Sequence, residues 1–178
     1  MDKVKRNINY IIHKFIEQPT KLSKVKLAKI LYFADREYMY KYSKYLSGAE
    51  YIKLPHGPVI KNYDKILESM QNEGIISQFK TTLHEKSATC FQSLIEPNLD
   101  DFSVDEVVIL DKVIYENYNK SAKTLSNLTH DSVWDNTKMG DVIPVEMVFL
   151  RDSEEPTNSD IEKAKEFLKE KGYIHENI

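Results

Sequence analysis

Hydrophobic positions fall at helical spacing along most of the chain. Val4, Ile8, Ile11, Ile12, Phe15 and Ile16 recur every three or four residues, the apolar stripe of an amphipathic helix over residues 2–17 that Pro19 stops. From Lys21 the spacing Leu27, Ile30, Leu31, Ala34, Tyr38 runs for about five turns, while Tyr32 and Phe33 add apolar surface on other sides. Such a helix is expected to be central and buried more than halfway around. Tyr38, Tyr40, Tyr42 and Tyr45 crowd its end before Ser47-Gly48 breaks it.

Tyr51-Ile52-Lys53-Leu54 reads as a short strand ending at Pro55. Pro58 suits the first position of a helix, where its missing N–H costs nothing, and that helix continues through Val59, Tyr63, Ile66, Leu67 and Met70 to Asn72-Glu73-Gly74. The runs 75–83 and 87–94, joined by His84-Glu85-Lys86, alternate as a β-hairpin. Ser103 and Glu106 form a capping box before Val107, Leu110, Val113 and Ile114, which predicts a helix over 104–118. Ser121 caps a shorter helix with Ala122, Leu125 and Leu128 on one face, and 131–144 is irregular. Ser159 and Glu162 repeat the capping box ahead of Ile161, Ala164, Phe167 and Leu168, with Gly172 as the stop. The fold class is therefore mainly α (α+β), with a short strand, one small hairpin, and a winged-helix-like local order of helix, helix and hairpin.

A chain of 178 residues buries roughly two-thirds of its unfolded surface, enough for one core. Residues 1–150 are expected to form the domain, with 151–178 a polar connector and a helix packed on the same body. No run approaches the roughly twenty apolar residues of a membrane span, no small-residue cleavage site follows the N-terminal stretch, and a cytoplasmic protein without a membrane partner is expected. A single cysteine, Cys90, excludes an internal disulfide and multi-thiolate metal sites. Charge is segregated: residues 1–50 carry 11 Lys/Arg against 5 Asp/Glu, or +6, whereas 96–178 carry 9 against 19, or −10. That asymmetry either steers a charged partner or draws the two ends of the chain together.

Candidate chemistry is sparse. The histidines at 13, 56, 84, 130 and 175 include no pair at helical metal-ligand spacing. His130-Asp131 with Asp135 reads as a helix cap before it reads as a metal site, and His56 reads as a backbone hydrogen-bonding residue at a tight turn. No Gly-rich phosphate loop, nucleophile elbow or paired-carboxylate signature is present, so neither an enzyme nor a cofactor is expected. Asp35, ending an apolar run, should be buried and paired with a lysine, an arginine or donors of the Gly57-Pro58 turn. The tyrosine cluster either lines a recognition surface or walls the edge of the core.

Lys26-Leu27 through Ala34-Asp35, Glu50, His56 with Gly57-Pro58-Val59, Gly74-Ile75, Leu125-Ser126 with Thr129-His130, and Trp134 together resemble the Panacea domain of SocA-like antitoxins. The resemblance runs from about Lys21 to Pro144. Where that family tends to have aliphatic-Tyr-Tyr-Ala-Asp, this chain has Leu31-Tyr32-Phe33-Ala34-Asp35, a conservative departure. The resemblance implies a prokaryotic or phage antitoxin that binds a cognate protein toxin, with Lys26, Leu27, Tyr32, Ala34, Asp35, His56, Gly57, Pro58 and His130 as structural signature. Tyr38, Tyr42, Tyr45 and Trp134 are the candidate partner-binding residues, because aromatic side chains dominate interface energetics. The alternatives are a winged-helix-like regulator on its own promoter DNA and an adaptor that delivers a client to a protease or chaperone. The presumed reading helix, 59–73, has Lys61 and Lys65 against Asp64, Glu68 and Glu73, a poor supply of cations for phosphate.

Overall fold

The computed structural model describes residues 1–83, 86–150 and 158–170. Among them run α1 (Lys3–His13), α2 (Lys24–Tyr42), β1 (Tyr51–Ile52), β2 (Val59–Ile60), α3 (Tyr63–Asn72), β3 (Ile76–Leu83), β4 (Lys86–Ser93), α4 (Val104–Asn117), α5 (Ala122–Leu128), α6 (Ser132–Asn136), β5 (Val142–Ile143) and α7 (Asn158–Glu170). Short 3-10 turns occupy Pro19–Lys21, Leu99–Asp101 and Val145–Phe149. The architecture is mainly α, with a three-stranded antiparallel sheet in the order β2-β1-β5 and a separate β3–β4 hairpin.

Helix α2 is the axis. Every residue from Lys26 to Tyr32 is buried, because α1, α4, α5 and the Val145–Phe149 turn all pack around it. Leu27, Ile30 and Leu31 have no exposed surface, and each such side chain contributes about 1.5–3 kcal/mol of burial. The helix starts at Lys24 rather than Lys21. Pro19 opens a 3-10 turn there, Leu22 plugs the core, and the Ser23 hydroxyl accepts from the Lys26 N–H.

Helix α1 also stops earlier than its periodicity suggests, at His13, yet Phe15 beyond it stays in the core and stacks on Tyr118 at 4.5 Å. The hairpin follows expectation, paired continuously from Ile76↔Ser93 to Leu83↔Lys86, with His84 and Glu85 outside the described residues. Cys90 is buried. The capping box of α4 has both arms: the Glu106 N–H donates to Ser103 Oγ at 3.2 Å and the Ser103 N–H to Glu106 Oε2 at 2.9 Å.

Pro58 does not begin a helix. Val59 and Ile60 form β2, paired with Ile52 and Tyr51, and α3 begins only at Tyr63 after Asn62 in the left-handed region. A proline fixes φ near a value that both extended and helical backbone accept, and here pairing of β-branched residues with β1 prevails. The 131–144 stretch is more regular than expected, with Asp131 capping α6 and β5 adding to the other edge of β1. Leu128 of α5 is 54% exposed rather than facing the core. Helix α7 starts at Asn158, so Ser159 lies inside its first turn and does not cap it; Gly172 and the 151–157 connector lie outside the described residues. The helix packs on the Val145–Phe149 turn, and Phe167 meets Tyr45 edge-on at 5.8 Å. No described helix is long and apolar enough to cross a membrane.

Candidate functional site

The sequence signature converges where α2 meets the turn before β2. Gly57 has φ of +89°, its N–H donates to the Leu54 carbonyl at 2.9 Å, and a Cβ there would lie 2.1 Å from Thr129 Oγ1 and 3.0 Å from Lys29 Nζ. Only glycine supplies both the left-handed backbone and the missing volume. Lys29, with no exposed surface, donates to the Pro58 carbonyl at 2.7 Å. Burial without a carboxylate partner brings its amine down to about 7.

Two further buried lysines are held the same way. Lys26 reaches the Tyr118 carbonyl at 2.5 Å and lies 5.2 Å from the Phe15 ring centre, and burial, with Lys21 contributing, lowers it to about 8. Lys53 donates to the Trp134 carbonyl at 2.6 Å with its ammonium 3.8 Å from that residue's ring centre. Trp134 in turn stacks on His130 at 3.8 Å. Burial, and then the charges of Lys29 and other cations, hold His130 below its ordinary value. These cations clamp loops to helices through carbonyl oxygens, which are strong acceptors for a charged donor.

Asp35 is buried as expected, but its partners are not. Its carboxylate accepts from the Ser47 N–H at 2.8 Å, Ser47 Oγ at 2.5 Å and Tyr51 Oη at 2.5 Å, so it ties the second half of α2 to the loop into β1. Among the described residues neither a cation nor the Gly57 turn is involved. Burial raises its carboxyl above the usual range, against the pull of those hydrogen bonds. Tyr32 packs edge-on against Tyr51 at 5.0 Å, and burial pushes its hydroxyl up to about 12. Arg36 spans Tyr32 and Asp131, whose other oxygen caps α6.

Lys26, Leu27, Tyr32, Ala34, Asp35, Gly57 and Pro58 are thus all buried. His130 is half-buried. His56 is exposed, and its imidazole makes no hydrogen bond among the described residues; the turn is closed instead by the Gly57 N–H. The signature is framework.

The four aromatic candidates divide. Tyr38 is 7% exposed and belongs to the core, its ring 4.9 Å from Tyr42. Tyr42 is half-buried and donates to Asp105 on α4 at 2.9 Å. Tyr45 donates to Glu146 beside α7, while Trp134 belongs to the Lys53 and His130 cluster. Tyr45 lines a cavity of about 240 Å³, whereas an open cleft of about 420 Å³ between α2, α4 and α5 and an apolar groove of about 430 Å³ between α7 and the Val145–Phe149 turn are lined by none of the four. In the cleft, Arg36 and Asp131 are already spent on each other. Among the described residues no three His, Cys, Asp or Glu side chains come together as a metal site.

Lys29 and Lys53 were given no role from the sequence, and Thr129 entered only as part of the Thr129-His130 match. The available signal was the run from Lys26 to Asp35, which has no polar stripe and leaves its cations nowhere to face water.

A family model described as "Antitoxin SocA-like, Panacea domain" matches residues 27–135, from the middle of α2's first turns to α6. No curated protein and no solved structure matches the chain. The matched span covers more than half of the chain and contains the Lys29, Gly57 and Thr129 contacts, the Asp35 knot and the Trp134 cluster; the chain belongs to the SocA-like antitoxin family defined by the Panacea domain.

Proposed function

We propose that the protein is an antitoxin that neutralises a cognate protein toxin by direct, stoichiometric binding, in the cytosol of a bacterium or phage-infected cell. The observation that carries this reading is the match of residues 27–135 to the SocA-like antitoxin family. Its activity is a property of surface, not of a reactive centre: the Lys29, Asp35 and Asp131 side chains are consumed in holding α2, the Gly57 turn and α6 in place. Tyr42 and Tyr45, half-buried with their hydroxyls anchored on Asp105 and Glu146, are pre-organised aromatic contacts. Tyr38 contributes from beneath, as packing.

The test is growth. Each gene neighbouring this one is expressed alone and then together with it; a neighbour that arrests growth alone and not in company supports the reading. If no neighbour is toxic, or if a toxic neighbour stays toxic in the presence of the folded protein, the reading fails.

A further inference from the structure

Helix α4 carries more apolar residues than the core uses. Eight of its fourteen residues are Val, Ile, Leu or Tyr, and Ile109, Leu110, Val113 and Ile114 face inward. Val104, Val108 and Tyr115 point the other way, at 80%, 48% and 86% exposure. Exposed apolar side chains grouped on one face and rimmed by polar residues mark a surface for a partner. With Asp111 between them, these positions recur at i, i+4, i+7 and i+11, the seam that a second helix packs against.

The border of that seam is acidic. Asp100, Asp101, Asp105 and Glu116 are exposed and make no ion pair among the described residues. Three cations nearby are engaged, Lys14 with Asp111 at 2.9 Å, Arg6 with Glu106 at 3.0 Å and Lys112 with Glu37 at 2.5 Å, Lys3 approaches Glu106 at 3.7 Å, and Lys41 lies over the Tyr42 ring at 5.1 Å. Tyr42, bonded to Asp105, extends the surface at its N-terminal end.

We propose that the outward face of α4 docks a basic amphipathic helix of the toxin, an inference that rests on the antitoxin reading. Apolar side chains of that helix cover Val104, Val108 and Tyr115, and its flanking Lys or Arg meet the four carboxylates. A second copy of this chain is the poorer occupant, because it would oppose two acidic borders. The −10 of residues 96–178 favours the same choice and predicts fast, salt-sensitive association.

Two measurements test it. In the first, a labelled helical peptide of about three heptads, with Leu along its seam and Lys on its flanks, is titrated into wild type and into Val108→Ala/Tyr115→Ala, which keeps every carboxylate. Binding to wild type that weakens about tenfold or more in the variant supports the proposal; equal binding to both, or equal binding of a Glu-flanked peptide, overturns it. In the second, the variant is run in the growth assay beside wild type, with circular dichroism verifying its fold. Wild-type rescue that the folded variant loses supports the α4 face. Rescue by both overturns it and leaves the antitoxin reading intact, whereas failure of wild type to rescue removes the antitoxin reading and, with it, the toxin as occupant. A wild-type dimer in sedimentation that the variant disperses would assign the face to a second copy instead.

Discussion

Replacing Lys29 with methionine should change how stability depends on pH. Among the described residues the amine has one acceptor, the Pro58 carbonyl at 2.7 Å, and it has no exposed surface. It titrates near 7 when folded and at 10.5 when unfolded. Between those values the unfolded chain holds a proton that the folded chain has released, so stability rises with pH across the window; below 7 both states are charged and the full penalty is present. Each pH unit is worth about 1.4 kcal/mol, so the cost of burying the cation at pH 7 is roughly 4 kcal/mol. Methionine keeps the unbranched shape and removes the charge, but leaves the Pro58 carbonyl without its donor at a cost of about 1–3 kcal/mol. At pH 7 the variant should be as stable as wild type or better by up to about 3 kcal/mol.

Urea unfolding at pH 7 and pH 9 measures this. Lys29 alone should add roughly 2 kcal/mol of stability over that interval, and wild type gains this on top of the smaller rise from Lys26, lowered to about 8, whereas Lys29→Met should retain only the Lys26 part. The variant's advantage therefore shrinks or reverses at pH 9. A wild-type stability that is flat or falling between pH 7 and 9, or an unchanged slope in the variant, would refute the argument that Lys29 is a desolvated, carboxylate-free cation.

Gly57→Ala forces a left-handed alanine whose Cβ overlaps Thr129 Oγ1, and should cost about 2–4 kcal/mol in urea unfolding; adding Thr129→Ala should recover part of it, and a single variant within about 0.5 kcal/mol of wild type would sink the steric account. Asp35→Ala strands the Ser47 N–H, Ser47 Oγ and Tyr51 Oη inside the core and should cost roughly 3–5 kcal/mol, read as a large drop in the thermal midpoint; an unchanged melt contradicts it. Ser103→Ala removes one arm of the α4 capping box and should cost about 1 kcal/mol by chemical denaturation, with loss of the Glu106 arm as well costing more.

Elements set by local chemistry were legible in the sequence. The stripe of α1, the Ser103 and Glu106 box of α4 and the alternation of β3 and β4 each carry their own signal, and each appears near its expected place. Of the two-residue strands, β1 lies within the short strand read over 51–54, but β2 and β5 were not legible, because two residues are too few to show a period. They exist through long-range pairing: β1 draws Val59 and Ile60 out of a helix on one side and recruits Val142 and Ile143 on the other. The burial of Asp35 was readable from its apolar setting, but its partners depend on how the 43–50 loop folds back over α2. Lys29 was hidden for a similar reason, since a lysine inside a helix normally reads as solvated and only the approach of the Gly57 turn shows where it points. Tyr38 and Tyr42 share one spacing in sequence, yet the packing of α4 buries the first and leaves the second half-exposed.

Direct neutralisation of a toxin is tested most directly by purifying this protein, tagged, from cells that co-express the growth-arresting neighbour, and weighing the eluted species by light scattering. Direct binding predicts a defined complex containing both chains in fixed stoichiometry, which persists after the tag is removed. Rescue of growth with the toxin absent from the eluate, and this protein running alone, would contradict it.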